Sequence, residues 1–284
     1  MQVRFSCPLP SFPLALQPAA FPSSAVKPPE LTPRRKRAAN QPLAGDGAAP
    51  RPASRARTQR AGAARPAAAG RPAPRLYVLA GTNGAGKSSL GGALIRARGA
   101  SYFNPDEAAS AIRAAHPHLS QTQANSAAWQ EGKRLLERAV AERLDFAFET
   151  TLGGRSMAAL LERAAREGFE VRVWFAGLAS PEQHLARIRS RVRHGGHDIP
   201  EADVRRRYDQ SRLNLVRLLP VLTELRVYDN SAEGDPKAGQ APHPRLLLHW
   251  QGGRIAAPPV QALPATPEWA KPIVAAALKL QQGA

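Results

Sequence analysis

An α/β fold, with a parallel sheet carrying helices on both faces, is the class this sequence predicts. Three observations carry it. From residue 76 onward, short apolar runs bounded by turn residues alternate with longer amphipathic stretches, which is the pattern of repeated strand–helix units. A glycine-rich turn at 81–86 joins the first apolar run to a stretch with helical spacing. Two later helix starts, Asn104-Pro105 and Ser180-Pro181, each place a capping side chain before a proline at the first helical position.

Residues 76–80 suit a strand buried on both faces, and a helix is expected over 88–97. Residues 101–103 form a brief second strand. Asn104 then caps a helix, with Pro105 at its first position and Glu107 closing a capping box. Between 129 and 144, Leu135, Leu136, Ala139, Val140 and Leu144 share one helical face. Residues 146–148 read as a third strand ending at Glu149-Thr150-Thr151. A helix over 156–167 leads to a fourth strand at 171–175. Ser180 opens an arginine-rich helix that Gly195-Gly196 breaks, and Pro200 starts another reaching residue 219. Residues 225–228 make the fifth strand. A terminal hairpin is expected from 246–250 and Ile255 around Gln251-Gly252-Gly253, followed by a helix near 267–280.

Residues 1–75 differ in kind. They carry 13 of the 40 Lys+Arg residues against only Glu30 and Asp46, and 14 of the 27 prolines. Such a stretch cannot bury enough apolar surface to offset its ordering entropy. We therefore expect a disordered basic tail over 1–75 and one folded domain over 76–284, with the hairpin and helix at 244–280 inside it. The tail's clustered arginines would make salt-sensitive, nonspecific contact with nucleic acid. No aromatic residue lies between Arg34 and Arg75 to stack on bases. Cys7 is the single cysteine, so an intrachain disulfide or a cysteine zinc site is excluded. No apolar run has transmembrane length, and Pro13 and Pro18 interrupt the mildly apolar 11–21 stretch. A cytoplasmic protein without membrane contact is expected, with a targeting segment or a start assigned too far upstream as other readings of the tail.

Residues 81–88, Gly81-Thr82-Asn83-Gly84-Ala85-Gly86-Lys87-Ser88, match G-x-x-x-x-G-K-[ST], the P-loop pattern. Glycines let successive backbone N–H groups turn onto phosphate oxygens, and the helix that follows aims its positive end at them. Lys87 would neutralise the β- and γ-phosphates and the Ser88 hydroxyl would ligate Mg²⁺, with Ser89 beside it. ATP and Mg²⁺ are the expected cofactors, and the fold class narrows to a P-loop NTPase fold with a five-stranded parallel sheet.

Asp106 follows the second strand, at the carboxyl edge where α/β sheets bind ligands. There it would act as general base toward a hydroxyl; the alternative is an ordinary first-turn aspartate favoured by the helix dipole. Glu149 ends an apolar strand, where an acid holds Mg²⁺ through water or binds substrate hydroxyls. Thr150, Thr151 and Arg155 would line the substrate pocket, although Thr150 to Gly154 also reads as a plain strand-to-helix turn. Arg187 and Arg191, four apart on one helix face ahead of His194-Gly195-Gly196-His197, suit a lid that stabilises a transferring phosphoryl group. With 33 arginines in the chain, solvated surface is the competing assignment.

Several spaced features together resemble the zeta-toxin/UDP-N-acetylglucosamine kinase-like family of P-loop kinases over residues 76–230. They are the loop at 81–88, Phe103-Asn104-Pro105-Asp106 with His116-Pro117, Phe148-Glu149-Thr150-Thr151, Arg191-Val192 with Gly195-Gly196-His197, and Val227-Tyr228-Asp229-Asn230-Ser231. The resemblance implies ATP/Mg²⁺-dependent phosphorylation of a hydroxyl on a nucleotide-sugar such as UDP-N-acetylglucosamine. It assigns the catalytic aspartate to Asp106, substrate contacts to Glu149 and Thr151, and lid arginines to Arg191 and Arg187, with a lid spacing that departs from the toxins. An antitoxin protein stays open as a partner. Two other readings remain: a kinase for another small alcohol, and a nucleotide-switched regulatory protein that binds nucleic acid through its tail.

Overall fold

The computed structural model describes residues 72–88, 90, 102–232 and 244–283. Residues 1–71 of the tail expected over 1–75, Ser89 and the body of the helix expected over 88–97 lie outside the described residues.

Among the described residues, seven strands form one sheet in the order β2-β3-β1-β4-β5-β6-β7. They are β1 (Arg75–Ala80), β2 (Tyr102–Phe103), β3 (Phe146–Thr150), β4 (Glu170–Gly177), β5 (Glu224–Asp229), β6 (Arg245–Gln251) and β7 (Arg254–Ala257). The first five run parallel. The expected hairpin is β6 and β7, which pair antiparallel and extend the same sheet from the edge of β5. The five-stranded expectation thus becomes seven strands, because β5 would otherwise leave an unpaired edge and instead sets Leu225 and Val227 opposite Trp250 and Leu248.

β1 opens at Arg75, one residue ahead of the expected start. Its backbone N–H donates to Asp145 Oδ1 at 2.8 Å and its guanidinium meets Glu170 at 3.2 Å. Alternation along β1 sends Leu76, Val78 and Ala80 into the main core, and Tyr77 and Leu79 into a smaller cluster with Ala147 and Trp174. Burial on both faces is what a central parallel strand requires.

The α-helices with bounds among the described residues are α1 (Pro105–Ala115), α2 (Gln121–Glu142), α3 (Arg155–Arg166), α4 (Pro181–Arg193), α5 (Glu201–Leu218) and α6 (Lys271–Gln282). Asn104 caps α1 by accepting from the Asp106 and Glu107 N–H groups, and Glu107 accepts from the Asn104 side-chain amide at 3.3 Å. α2 starts well before the apolar stripe read from the sequence, because Ser120 and Gln123 form a complete capping box. It ends at Arg143 in the left-handed region, with Leu144 N–H returning to the Ala139 carbonyl, so Leu144 falls outside the helix.

Residues 244–283 belong to the main core through Leu247, Trp250, Trp269, Ile273 and Ala277. Trp269 lies so close over Gly177 that a Cβ there would come within 2.3 Å of the indole. Trp269→Ala should therefore lower the unfolding free energy by about 3–5 kcal/mol, the range for emptying a buried aromatic site. Urea denaturation checks this, and a loss below about 1 kcal/mol would show that the C-terminal segment is not part of the core.

Candidate functional site

The phosphate loop leaves β1 through Gly81, whose φ of +137° and approach to the Ala176 carbonyl admit no side chain. Gly86, at φ +80°, is similarly confined, since a Cβ would lie 2.3 Å from Asn230 Nδ2. Helical bonding starts directly afterwards, with Leu90 N–H donating to the Gly86 carbonyl. Three elements hold the loop from outside. Asn230, just after β5, donates to the Ala85 carbonyl at 2.9 Å. His184 of α4 places Nδ1 2.7 Å from the Asn83 carbonyl, and Arg207 of α5 donates to Asn83 Oδ1 at 2.9 Å. Thr82 Oγ1 and Ser211 Oγ, also from α5, are 3.3 Å apart.

At the far end of the loop the chemistry converges on Glu149. Lys87 Nζ lies 3.4 Å from Glu149 Oε1, and both residues are only 8 % exposed. The Ser88 hydroxyl donates to Oε2 at 3.1 Å and the Tyr102 hydroxyl to the same oxygen at 2.8 Å. A carboxylate and a hydroxyl are the hard oxygen donors Mg²⁺ selects, and Mg²⁺ takes one or two protein ligands with waters and phosphate oxygens completing its shell. Among the described residues no group of three or more His, Cys, Asp or Glu could hold a metal without such help.

A cleft of about 490 Å³ opens beside this cluster at the carboxyl ends of β2 and β3. Asp106, Glu149, Thr150, Thr151, Asp203 and Arg207 are among its walls. Asp106 sits in the first turn of α1, half exposed. Arg191 Nη1 is 3.5 Å from Oδ2 and His197 Nε2 is 3.9 Å from Oδ1. Thr150 and Thr151 use their hydroxyls to accept the N–H groups of Leu152 and Gly153. Buried Asn214 of α5 donates to the Leu152 carbonyl at 2.8 Å, fixing that turn.

The remaining expected residues are distributed unevenly. Arg187 packs beside Gly84 and donates to the Asn230 carbonyl at 2.7 Å, so it braces the loop and does not line the cleft. Arg155 is the exposed first residue of α3 and lies outside the lining. Sequence reasoning missed Arg207, which lines the cleft and pairs with Asp203 at 3.2 Å. Burial lowers its pKa, opposed by the Asp203 carboxylate. The spacing of Asp203 and Arg207 was the available signal, hidden in the run Arg205-Arg206-Arg207. The roles of His184 and His197 were missed as well. No helix among the described residues is long and apolar enough to cross a membrane.

His184 is 1 % exposed. Burial, joined by the charges of Lys87, Arg187 and Arg212, pushes its pKa down to about 4 against the opposing pull of the Asn83 carbonyl. The neutral ring carries its proton on Nδ1 and donates it to that carbonyl. Because the folded-state value lies below the ordinary 6.5, this contribution to stability is whole above pH 6.5 and lost as pH falls toward 4. The thermal midpoint should drop across that window and His184→Gln should flatten the drop. Identical slopes in the two proteins would contradict the assignment.

Comparison with known proteins fits this geometry. The family model described as Zeta toxin matches residues 59–233, more than half of the chain. An uncharacterized protein of Haemophilus influenzae is 34 % identical over 128 residues, which cover 45 % of this chain and 88 % of that one. The crystal structure of AvrRxo1-ORF1:-ORF2 with ATP superposes with a TM-score of 0.53 at 15 % identity, covering 69 % of this chain and 64 % of that chain. This chain therefore spans just under two thirds of that protein's length. The same complex with sulphate ions gives equal figures. At this identity the likeness shows the fold. From the family match together with the loop at 81–88, the chain belongs to the zeta toxin family.

Proposed function

We propose that the protein transfers the γ-phosphoryl group of ATP, in the cytoplasm, to a hydroxyl of a nucleotide-sugar, UDP-N-acetylglucosamine being the acceptor the family resemblance points to. The observation that carries this reading is that Glu149, tied to Lys87 and Ser88, and Asp106 are walls of one cleft. Donor phosphates on the loop and an acceptor hydroxyl at Asp106 would thereby face each other.

Each step falls to named groups. The loop and Lys87 hold the β- and γ-phosphates, and Glu149 with Ser88 would hold Mg²⁺. That ion, when bound, supplies positive charge to the phosphate oxygens. Asp106 accepts the proton of the acceptor hydroxyl as its oxygen bonds to the γ-phosphorus. The bond from that phosphorus to the β–γ bridging oxygen breaks and ADP leaves. Arg191 and Arg207 offer guanidinium groups to the charge spread over the transferring oxygens. Arg191 is paired with Asp106 in this structure, so a bound γ-phosphate would compete for it. An antitoxin as partner belongs to the same proposal, supported by the solution of AvrRxo1-ORF1 together with AvrRxo1-ORF2.

Lys87→Ala should abolish measurable ATP binding by calorimetry. Asp106→Asn should keep ATP affinity and lower transfer by about 10²- to 10⁴-fold, the worth of a positioned general base. The deciding assay follows label from γ-labelled ATP to a panel of UDP-sugars and simpler alcohols. Label on UDP-N-acetylglucosamine with the wild type alone supports the reading. Label reaching only a simple sugar or nucleoside would replace the acceptor.

A further inference from the structure

Thr122, Asn125, Ser126 and Trp129 supply the side chains of the α2 wall of the cleft, which Gly132 continues. Their spacing, i, i+3, i+4 and i+7, is one helical face. The packing face of the same helix runs through Ala124, Ala128 and Leu136, and Gly132 is common to both. Trp129 thus takes no part in the core. It is 44 % exposed, whereas Trp174, Trp250 and Trp269 are at most 8 % exposed. An indole left open on the wall of a concave polar site has a free apolar face of the kind that stacks on a ring.

Its level along the cleft says which ring. Gly132 meets the Phe103 side chain, which a Cβ at Gly132 would approach to 2.5 Å, so α2 at that point is beside the end of β2. Trp129 lies one turn further out, roughly 4–5 Å at 1.5 Å per residue, and Thr122 roughly 15 Å out. Asp106, the second residue of α1, follows Phe103 by three residues, and α1 packs against α2. Of Thr122, Asn125, Ser126 and Trp129, Trp129 is therefore the one nearest the level of Phe103, on a cleft it shares with Asp106, and the polar groups continue the wall outward. Asn125 Oδ1 already accepts from Gln121 at 2.8 Å, so Asn125 offers a ligand its amide N–H donors, while Ser126 and Thr122 offer hydroxyls.

We propose that this face of α2 is the acceptor-recognition wall. The Trp129 indole packs on the face of the ring that bears the reacting hydroxyl, and Ser126, Asn125 and Thr122 hydrogen-bond polar groups further along. The acceptor is then an elongated molecule, a hydroxylated ring carrying a polar extension, and not a lone monosaccharide. This rests on the kinase reading above and narrows its substrate class.

The test titrates UDP-N-acetylglucosamine and free N-acetylglucosamine into wild type, Trp129→Ala and Trp129→Phe, each saturated with a nonhydrolysable ATP analogue. Tryptophan fluorescence and calorimetry give the affinities, and the labelled-ATP assay gives KM and kcat. For the UDP-sugar we expect a fluorescence change in the wild type and a Kd raised about 5- to 100-fold in Trp129→Ala, the size of a stacking contact. In Trp129→Phe we expect affinity within about threefold of wild type and no fluorescence change, because a ring is kept. ATP KM should be unchanged in all three, and the free sugar should bind far more weakly than the UDP-sugar. Unaltered UDP-sugar affinity in Trp129→Ala would overturn the wall while leaving the nucleotide-sugar reading intact. Transfer only to another elongated acceptor, with a Trp129-dependent KM, would keep the wall and remove the nucleotide-sugar. Transfer only to a single-ring alcohol, indifferent to Trp129, would remove both.

Discussion

The contact on which the rest of the site depends is the buried pair of Lys87 and Glu149. Neither charge could be left unpartnered at 8 % exposure, where removing one member of such a pair strands the other. Together they tie the loop after β1 to the end of β3, and the Tyr102 hydroxyl adds β2 through the same carboxylate. These are the first three strands of the sheet order, so the pair fixes where the phosphate loop stands relative to the cleft. Parallel pairing makes this workable, because it brings the carboxyl ends of all three strands to one edge.

The loop is held equally from the other side. His184, Arg207 and Asn230 reach it from α4, α5 and the end of β5, and two of the three bind backbone carbonyls of the loop. A cradle for phosphate has to be preorganised if its donors are to act without rearranging, and these contacts supply that rigidity. The acceptor side is looser. Asp106 is 49 % exposed and its partners, Arg191 and His197, flank the glycine pair that ends α4. On the proposed reading, donor phosphates would stay fixed on the braced loop while Asp106 and Arg191 exchange partners.

What the sequence disclosed follows the range of the interaction. Asn104 and Ser180 as caps, the P-loop pattern and the five parallel strands are local or near-local, and the structure has each of them. The pairing of β6 with β5 was not legible, because edge closure depends on which strand is left unpaired. Arg207 looked like one of three adjacent arginines, and only the fold turns it toward Asn83 while Arg205 and Arg206 meet Glu201 and Asp203 on the surface. Arg187 and Arg191 share a helix face, yet one turn of α4 separates a brace for Asn230 from a partner for Asp106. Trp129 carried no signal because its neighbours Ala124, Ala128 and Gly132 meet the packing needs of α2.

The most direct test of this account is ATP affinity with and without Mg²⁺, measured by calorimetry in the wild type and in Glu149→Gln. In the wild type, Mg²⁺ should tighten ATP binding. In Glu149→Gln that gain should disappear, while metal-free ATP binds at least as well because a carboxylate no longer competes for Lys87. A Glu149→Gln protein that keeps the full Mg²⁺ effect would contradict the placing of the metal–phosphate centre between Lys87, Ser88 and Glu149.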